Sequence, residues 1–190
     1  MSSVVVIDSG VANIGSVVAA LERVHAKVIV SRDWEQIRLA PRVLLPGVGA
    51  AVAAMRELDK LQLTPLLSTL TQPVLGICLG MQLMFESSDE GGNHSLASSD
   101  VQAVRCLGML PGKIKRLPES LGIRIPHMGW NSLEPRRSHP LVDGLSERDY
   151  AYFVHSFAAP ESEHTLMACT HGIAFSAIVA RDNFMGAQFH

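Results

Sequence analysis

The chain has 190 residues, 47% of them hydrophobic and 18% charged, which suits a single domain with a sizeable core. A net charge of −2 and 5% aromatic content give no electrostatic footprint for nucleic acid or a membrane surface, and no stacking platform for bases. No run reaches the ~18 apolar residues of a membrane span, and Met1-Ser2-Ser3-Val4 has no basic segment ahead of its apolar residues.

Cys78, Cys106 and Cys169 are odd in number and widely spaced, with no Cys-x-x-Cys pair. That argues against a disulfide framework and a zinc site, and for a reducing compartment. The cytoplasm is the expected location, and no metal is expected.

In chain order, Val4-Val5-Val6-Ile7 is a continuous β-branched run, the pattern of a strand covered on both faces. Asp8 to Asn13 reads as a turn. Val17, Val18, Leu21 and Val24 then give a helical period, with Asn13 or Ser16 available as N-cap. Val28 to Val30 reads as a strand, Trp34 to Leu39 as a short helix, and Val43 to Leu45 as a strand stopped by Pro46-Gly47-Val48-Gly49. Ala50 to Leu61 is helical, with Leu66 to Leu70 extending or following it. Val74 to Ile77 is the fourth strand.

Short apolar strands alternating with helices predict an α/β fold, a mostly parallel open sheet flanked by helices. Functional groups in such sheets gather at the carboxyl ends of the strands. Asp8, Pro46–Gly49 and Cys78 all fall at such ends.

Glu86 to Asp100 is rich in Ser, Gly, Asp and Asn and reads as a surface loop, with His94 as a solvated residue in it. Beyond Gly108 the helical period fades. Lys113 to Leu117, Ile123 to Ile125, Tyr152 to Val154, Leu166 to Cys169 and Ala174 to Val179 read as short strands, so the second half is a β-rich addition. The Lys113, Lys115, Arg116 and Arg136-Arg137 clusters read as solvated faces.

The stretch Gly76-Ile77-Cys78-Leu79-Gly80-Met81-Gln82 passes from a β-type run to a helix-period run within a few residues, with Cys78 at the joint. A residue on a tight strand-to-helix turn is strained and its side chain is pushed outward. Side chains at the flanking positions would crowd the turn, and glycine removes them. The helix behind aims N–H groups at the sulfur and favours thiolate over thiol. The pattern predicts a nucleophile elbow carrying cysteine.

A cysteine nucleophile needs a base, usually histidine. His25, His139 and His164 sit in polar or turn contexts and read as surface residues; pattern alone does not choose among His127, His155 and His190, each of which equally suits a hydrogen-bonded structural role. An acyl intermediate also needs oxyanion donors. One is the N–H of Leu79, the residue after Cys78. Pro46-Gly47-Val48-Gly49 sits where a second is needed, and it equally suits a plain turn capping the third strand.

These segments together resemble the class I, triad-type glutamine amidotransferases. Leu45 to Gly49, Pro126 to Asn131, Tyr152 to Phe157 and Gly186-Ala187-Gln188-Phe189-His190 resemble one branch of it, the glutaminase subunits of imidazole glycerol phosphate synthase in histidine biosynthesis. The resemblance runs in order from Asp8 to His190.

It implies one amidotransferase-like domain over residues 1–190, with Cys78 as nucleophile and His190 as base. It also implies an N–H around Val48 as second oxyanion donor, and glutamine contacts at Gly47, Val48, Gly49, Leu79, Gln82, His155, Ser156 and Phe157. The implied partner is a separate (β/α)₈-barrel cyclase subunit in a heterodimer. Ammonia from glutamine would be used there to make imidazole glycerol phosphate and an aminoimidazole carboxamide ribotide. No cofactor is implied. Another cysteine hydrolase of the same fold, of the γ-glutamyl peptidase type, and a catalytically impaired, truncated binding subunit are the alternatives.

Three positions depart from the family pattern. Ser9 and Ala12 stand where Tyr and Gly are commoner, and Phe157 where Tyr is commoner. The family also continues past its histidine with Pro-Glu and a final helix, so the triad carboxylate is expected in a tail beyond His190.

Overall fold

The computed structural model describes residues 3–91, 103–119 and 122–190. The first half alternates strand and helix: β1 (Ser3–Ile7), α1 (Ile14–Arg23), β2 (Lys27–Ser31), α2 (Trp34–Leu39), β3 (Val43–Gly47), α3 (Ala51–Lys60), α4 (Thr64–Leu67), β4 (Val74–Cys78) and α5 (Leu79–Leu83). Asn13 caps α1 through the N–H of Ser16, and Asp33 caps α2 through that of Gln36.

The strands β2, β1, β3 and β4 lie side by side and parallel. Because β1 is covered on both faces, its alternate residues feed two cores. Val4 and Val6 pack with Leu44 under Ile14, Val17 and Leu21 of α1. Val5 and Ile7 join the larger core that holds Ile37 of α2 and Ala54, Met55 and Leu58 of α3.

The second half is almost all β: β5 (Ser87–Ser88), β6 (Val104–Arg105), β7 (Lys113–Arg116), β8 (His127–Ser132), β9 (Glu134–Pro135), β10 (Tyr150–His155), β11 (Phe157–Ala158), β12 (Thr165–His171), β13 (Ile173–Arg181) and β14 (Phe184–Ala187). The main sheet has the order β2-β1-β3-β4-β14-β13-β12-β9. β14 pairs parallel with β4, while β13, β12 and β9 are added antiparallel. The remaining strands form a four-stranded sheet, β11-β7-β5-β6, and a two-stranded one, β10-β8.

Ile123 to Ile125 is not a strand; Ile123 makes only an isolated bridge, and the chain bends ahead of Pro126. The strand instead begins at His127, in a segment with little buried surface to mark it. The basic clusters are held in surface ion pairs, Lys113 with Asp89, Arg116 with Glu119, and Arg136 with Glu134 and Glu161. His94 and the rest of 92–102 lie outside the described residues. No helix among the described residues is long and apolar enough to cross a membrane.

Candidate active site

Cys78 ends β4 and caps α5 with φ 54° and ψ −113°, a conformation a non-glycine residue adopts only under constraint. The constraint is close packing of α5 on the sheet. A Cβ on Gly80 would lie 1.9 Å from the carbonyl oxygen of Leu45 in β3. One on Gly76 would lie 2.7 Å from the backbone of Gly80. The two glycines are therefore required by close approach, and neither has a positive φ.

Sheet register sets the neighbours. Gly47, at the end of β3, pairs with Cys78, and Ala187 of β14 pairs with Ile77. The carboxyl ends of β3, β4 and β14 thus meet at one edge. A cavity of about 180 Å³ opens there, lined by Val48, Gly49, Cys78, Leu79, Gln82, Glu90, Val154, His155, Ser156, Phe157 and His190. Every expected site residue except Gly47 lines it. Gly47 lies behind, where a Cβ would meet the N of Gly80 at 2.8 Å. A second hollow of about 270 Å³ shares Val48 and His190 and reaches Asn13 and Ser16 of α1. The larger depression of about 330 Å³ between Pro135–His139 and Val142–Leu145 holds no cysteine.

The three candidate histidines separate. His155 is buried; its Nδ1 lies 2.8 Å from the carbonyl oxygen of Phe157, and its Nε2 lies 3.1 Å from Nδ1 of His127. His127 is buried too, stacked between Phe153 and His171, with Nε2 at 3.4 Å from the amide of Asn131. Because the Phe157 carbonyl only accepts, His155 must carry its proton on Nδ1, and His127 must donate to its Nε2. Burial pushes both imidazoles down to about 4, assisted by the neighbouring histidines at His127 and by His171 at His155. Both rings are neutral and fully engaged. His190 is exposed and faces the Cys78 cavity.

The Cys78 thiol is pushed up to about 11, because burial outweighs the lowering by the N–H of Leu79, and the Glu90 carboxylate adds to the rise. This reverses the thiolate preference expected from the helix behind the cysteine. α5 is a single short helix at the base of a narrow cavity, so loss of water wins.

The expected second oxyanion donor is also turned away. The N–H of Val48 donates to the carbonyl of Val11 at 3.0 Å.

Glu90 and Gln188 neighbour the cavity and the nucleophile without having stood out in the sequence. Glu90 follows the nucleophile helix in a polar loop with no period. It accepts from the N–H of Ala51 at the otherwise uncapped start of α3, and burial pushes its carboxyl up. Gln188 sits in the Gly186–His190 segment, buried beside the sulfur. Among the described residues no group of three or more His, Cys, Asp or Glu side chains is placed to hold a metal ion.

Residues 5–190 match the family "Glutamine amidotransferase class-I". The chain belongs to the class-I glutamine amidotransferase family.

It is 48% identical over 192 residues to the imidazole glycerol phosphate synthase subunit HisH of Colwellia psychrerythraea, a match covering 98% of this chain and 84% of that one. It is 49% identical over 190 residues to the protein of that name from Xanthomonas campestris, covering 100% and 90%. A solved structure described as a glutamine amidotransferase superposes with a TM-score of 0.71 at 15% identity, covering 98% of this chain and 89% of that one. PurLQS from Thermotoga maritima does so with 0.65 at 13% identity, covering 100% and 87%. These two likenesses concern the fold, and they match the mostly parallel sheet flanked by helices.

Proposed function

We propose that this chain is the glutaminase subunit of imidazole glycerol phosphate synthase, a cytoplasmic enzyme of histidine biosynthesis that hydrolyses glutamine and supplies ammonia to a barrel cyclase subunit. The observation that carries this is near-half identity to proteins of that name along the whole chain, with a cysteine elbow opening into a cavity that also holds a histidine.

The glutamine side-chain amide enters the cavity over Cys78. His190 takes the proton of the Cys78 thiol, the sulfur attacks the amide carbon, a C–S bond forms, and the carbonyl electron pair moves onto the oxygen as an oxyanion. The N–H of Leu79 meets it from the start of α5, and the N–H of Val48 joins once released from Val11. His190 gives a proton to the amide nitrogen, the C–N bond breaks, and ammonia leaves. His190 then takes a proton from water, which cleaves the γ-glutamyl thioester to glutamate and free Cys78. In this reading the substrate's α-ammonium group pairs with the Glu90 carboxylate on the cavity wall, and Gly49 and the 155–157 segment border the rest of the molecule.

The outer face of the β8–β10 pair supports a docking role. Met128 is 62% exposed and Trp130 71%, with Tyr152 and Val154 exposed beside them. Trp130 and Tyr152 pack edge to face, 5.7 Å apart. An exposed aromatic patch that continues into the lip of the cavity at Val154 fits a partner that covers the site.

The test is reconstitution with the barrel subunit. Glutamine should support formation of imidazole glycerol phosphate, and Cys78→Ala should abolish this while ammonia still supports it. Release of amines from γ-glutamyl peptides, without stimulation of the barrel reaction, would instead establish the peptidase reading.

A further inference from the structure

Sheet register places Gln188 level with the nucleophile. β14 runs parallel to β4 with Ala187 opposite Ile77, so the next residues, Gln188 and Cys78, stand side by side. Gln188 is 1% exposed, and its backbone N–H donates to the Ala177 carbonyl at 2.9 Å. Its side-chain Nε2 lies 3.8 Å from Sγ of Cys78.

An amide side chain has two ends, and only the NH₂ end favours a thiolate. Which end meets the sulfur is decided by a backbone carbonyl two steps away. The Phe157 carbonyl only accepts, so Gln82 must aim Nε2 at it, at 2.9 Å. The second hydrogen of that NH₂ meets Oε1 of Gln188, also at 2.9 Å. Gln188 is left with its own NH₂ towards Cys78. Turning Gln188 over would oppose two NH₂ groups, and turning Gln82 over would oppose two carbonyl oxygens. His155 backs the anchor by donating to the same Phe157 carbonyl.

We propose that Gln188 donates a hydrogen bond that favours the Cys78 thiolate, and that Gln82 is the positioning residue that fixes which end of Gln188 the sulfur meets. This rests on the reading of Cys78 as nucleophile. The need is physical: in a narrow cavity the charged sulfur has few water partners, and donors built into the protein replace them.

The test is alkylation of the full chain by iodoacetamide between pH 7 and 10, with each cysteine followed by peptide mass spectrometry. Cys106 and Cys169 report on folding, because both are buried away from the cavity. Gln188→Met should slow Cys78 alkylation about tenfold at a given pH, equal to moving its profile up by about one pH unit. Gln188→Glu keeps the shape and the bond from Gln82 but removes the donor, so it should slow the reaction at least as much. A packing role alone predicts no slowing in Gln188→Met, which fills similar space without charge and without a donor.

Unchanged rates in folded Gln188→Met, or full reactivity in Gln188→Glu, would overturn the proposal. If substitution at 188 exposes Cys106 or Cys169, Gln82→Met decides. It should also slow Cys78, and an unchanged rate would overturn the proposal. Labelling of Cys106 or Cys169 ahead of Cys78 in the unmutated chain would instead refute the nucleophile assignment itself.

Discussion

The backbone N–H of Val48 is held by the carbonyl of Val11, 3.0 Å away in the turn after β1. That turn is itself fixed, since Asp8 accepts from the N–H of Gly10 and pairs with Arg32, which holds its carboxyl below the usual range. The Val48 peptide therefore offers no donor to an oxyanion above Cys78 until it turns. Gly47 and Gly49 on either side leave it free of flanking side chains, and Gly49 already has φ +88°.

The chain alone should consequently be a poor glutaminase. The barrel subunit with its ligand bound should raise kcat far more than it lowers KM, because the gained interaction exists only in the transition state. A missing oxyanion donor is worth ~10²–10³ in rate, and activation of that order is expected. Steady-state kinetics with and without the partner check it, and activation confined to KM would contradict it.

A glutamine-like electrophile should label Cys78 and spare the other two cysteines. Cys106 and Cys169 are 6% and 0% exposed, and burial pushes both thiols up to about 12. Cys78 alone sits on a cavity wall with an N–H at its sulfur. Peptide mapping after labelling gives the answer directly.

The elbow was readable in the sequence because β4 and α5 abut with no connecting loop, so the period changes at Cys78 itself. β1, β3 and β4 were readable because strands buried on both faces are continuous apolar runs. The base was not, since His127, His155 and His190 sit in similar local patterns. The tertiary structure separates them: His155 and His190 both line the cavity, but the ring of His155 is taken up by His127 and the Phe157 carbonyl, while that of His190 is exposed. β8 was hidden for the opposite reason: it belongs to a two-stranded sheet whose outward face is apolar, so its residues do not alternate in the usual sense. The direction of the Val48 N–H has no compositional signal at all, because a peptide plane can turn without any change of side chain.

Trp130 is the natural anchor for the proposed partner. Truncating a central aromatic at an interface costs about 2 kcal/mol or more. Trp130→Ala should weaken association with the barrel subunit by at least roughly thirtyfold. Turnover at saturating partner should fall much less, because Trp130 does not line the cavity. Titration calorimetry and saturation kinetics separate the two effects.

The His127–His155 pair should make the fold acid-labile. Both imidazoles are held down at about 4 in the folded state, against an ordinary value near 6.5. The unfolded chain takes up protons first, so the stabilisation is complete above pH 6.5 and is lost as pH falls towards 4. A tenfold change in proton affinity corresponds to ~1.4 kcal/mol, so a few kcal/mol are at stake across that window. Urea unfolding at pH 7 and pH 5 should show a clear drop. His127→Phe, which keeps the stack on Phe153, should flatten it while lowering stability at pH 7 through the lost bonds to His155 and Asn131.

Gly80→Ala tests whether close approach is what builds the elbow. The added Cβ would lie 1.9 Å from the Leu45 carbonyl oxygen and 3.2 Å from the Pro46 carbonyl carbon. Neither atom is the tip of a flexible side chain. Relief requires α5 to lift off β3, and β3 is held in register on both sides by β1 and β4. Overpacking of this kind costs ~1–3 kcal/mol and sometimes more, and here the upper end is expected, with loss of Cys78 labelling as the turn relaxes. Gly15→Ala is the matched control: it lies in the first turn of α1 with nothing within 4 Å of its Cβ, and should be neutral or stabilising by roughly 0.5 kcal/mol. Urea unfolding of the two variants, read with their Cys78 labelling rates, decides the matter. A Gly80→Ala chain as stable and as reactive as the unmutated one would mean that the turn tolerates a side chain and that the strain at Cys78 is set elsewhere.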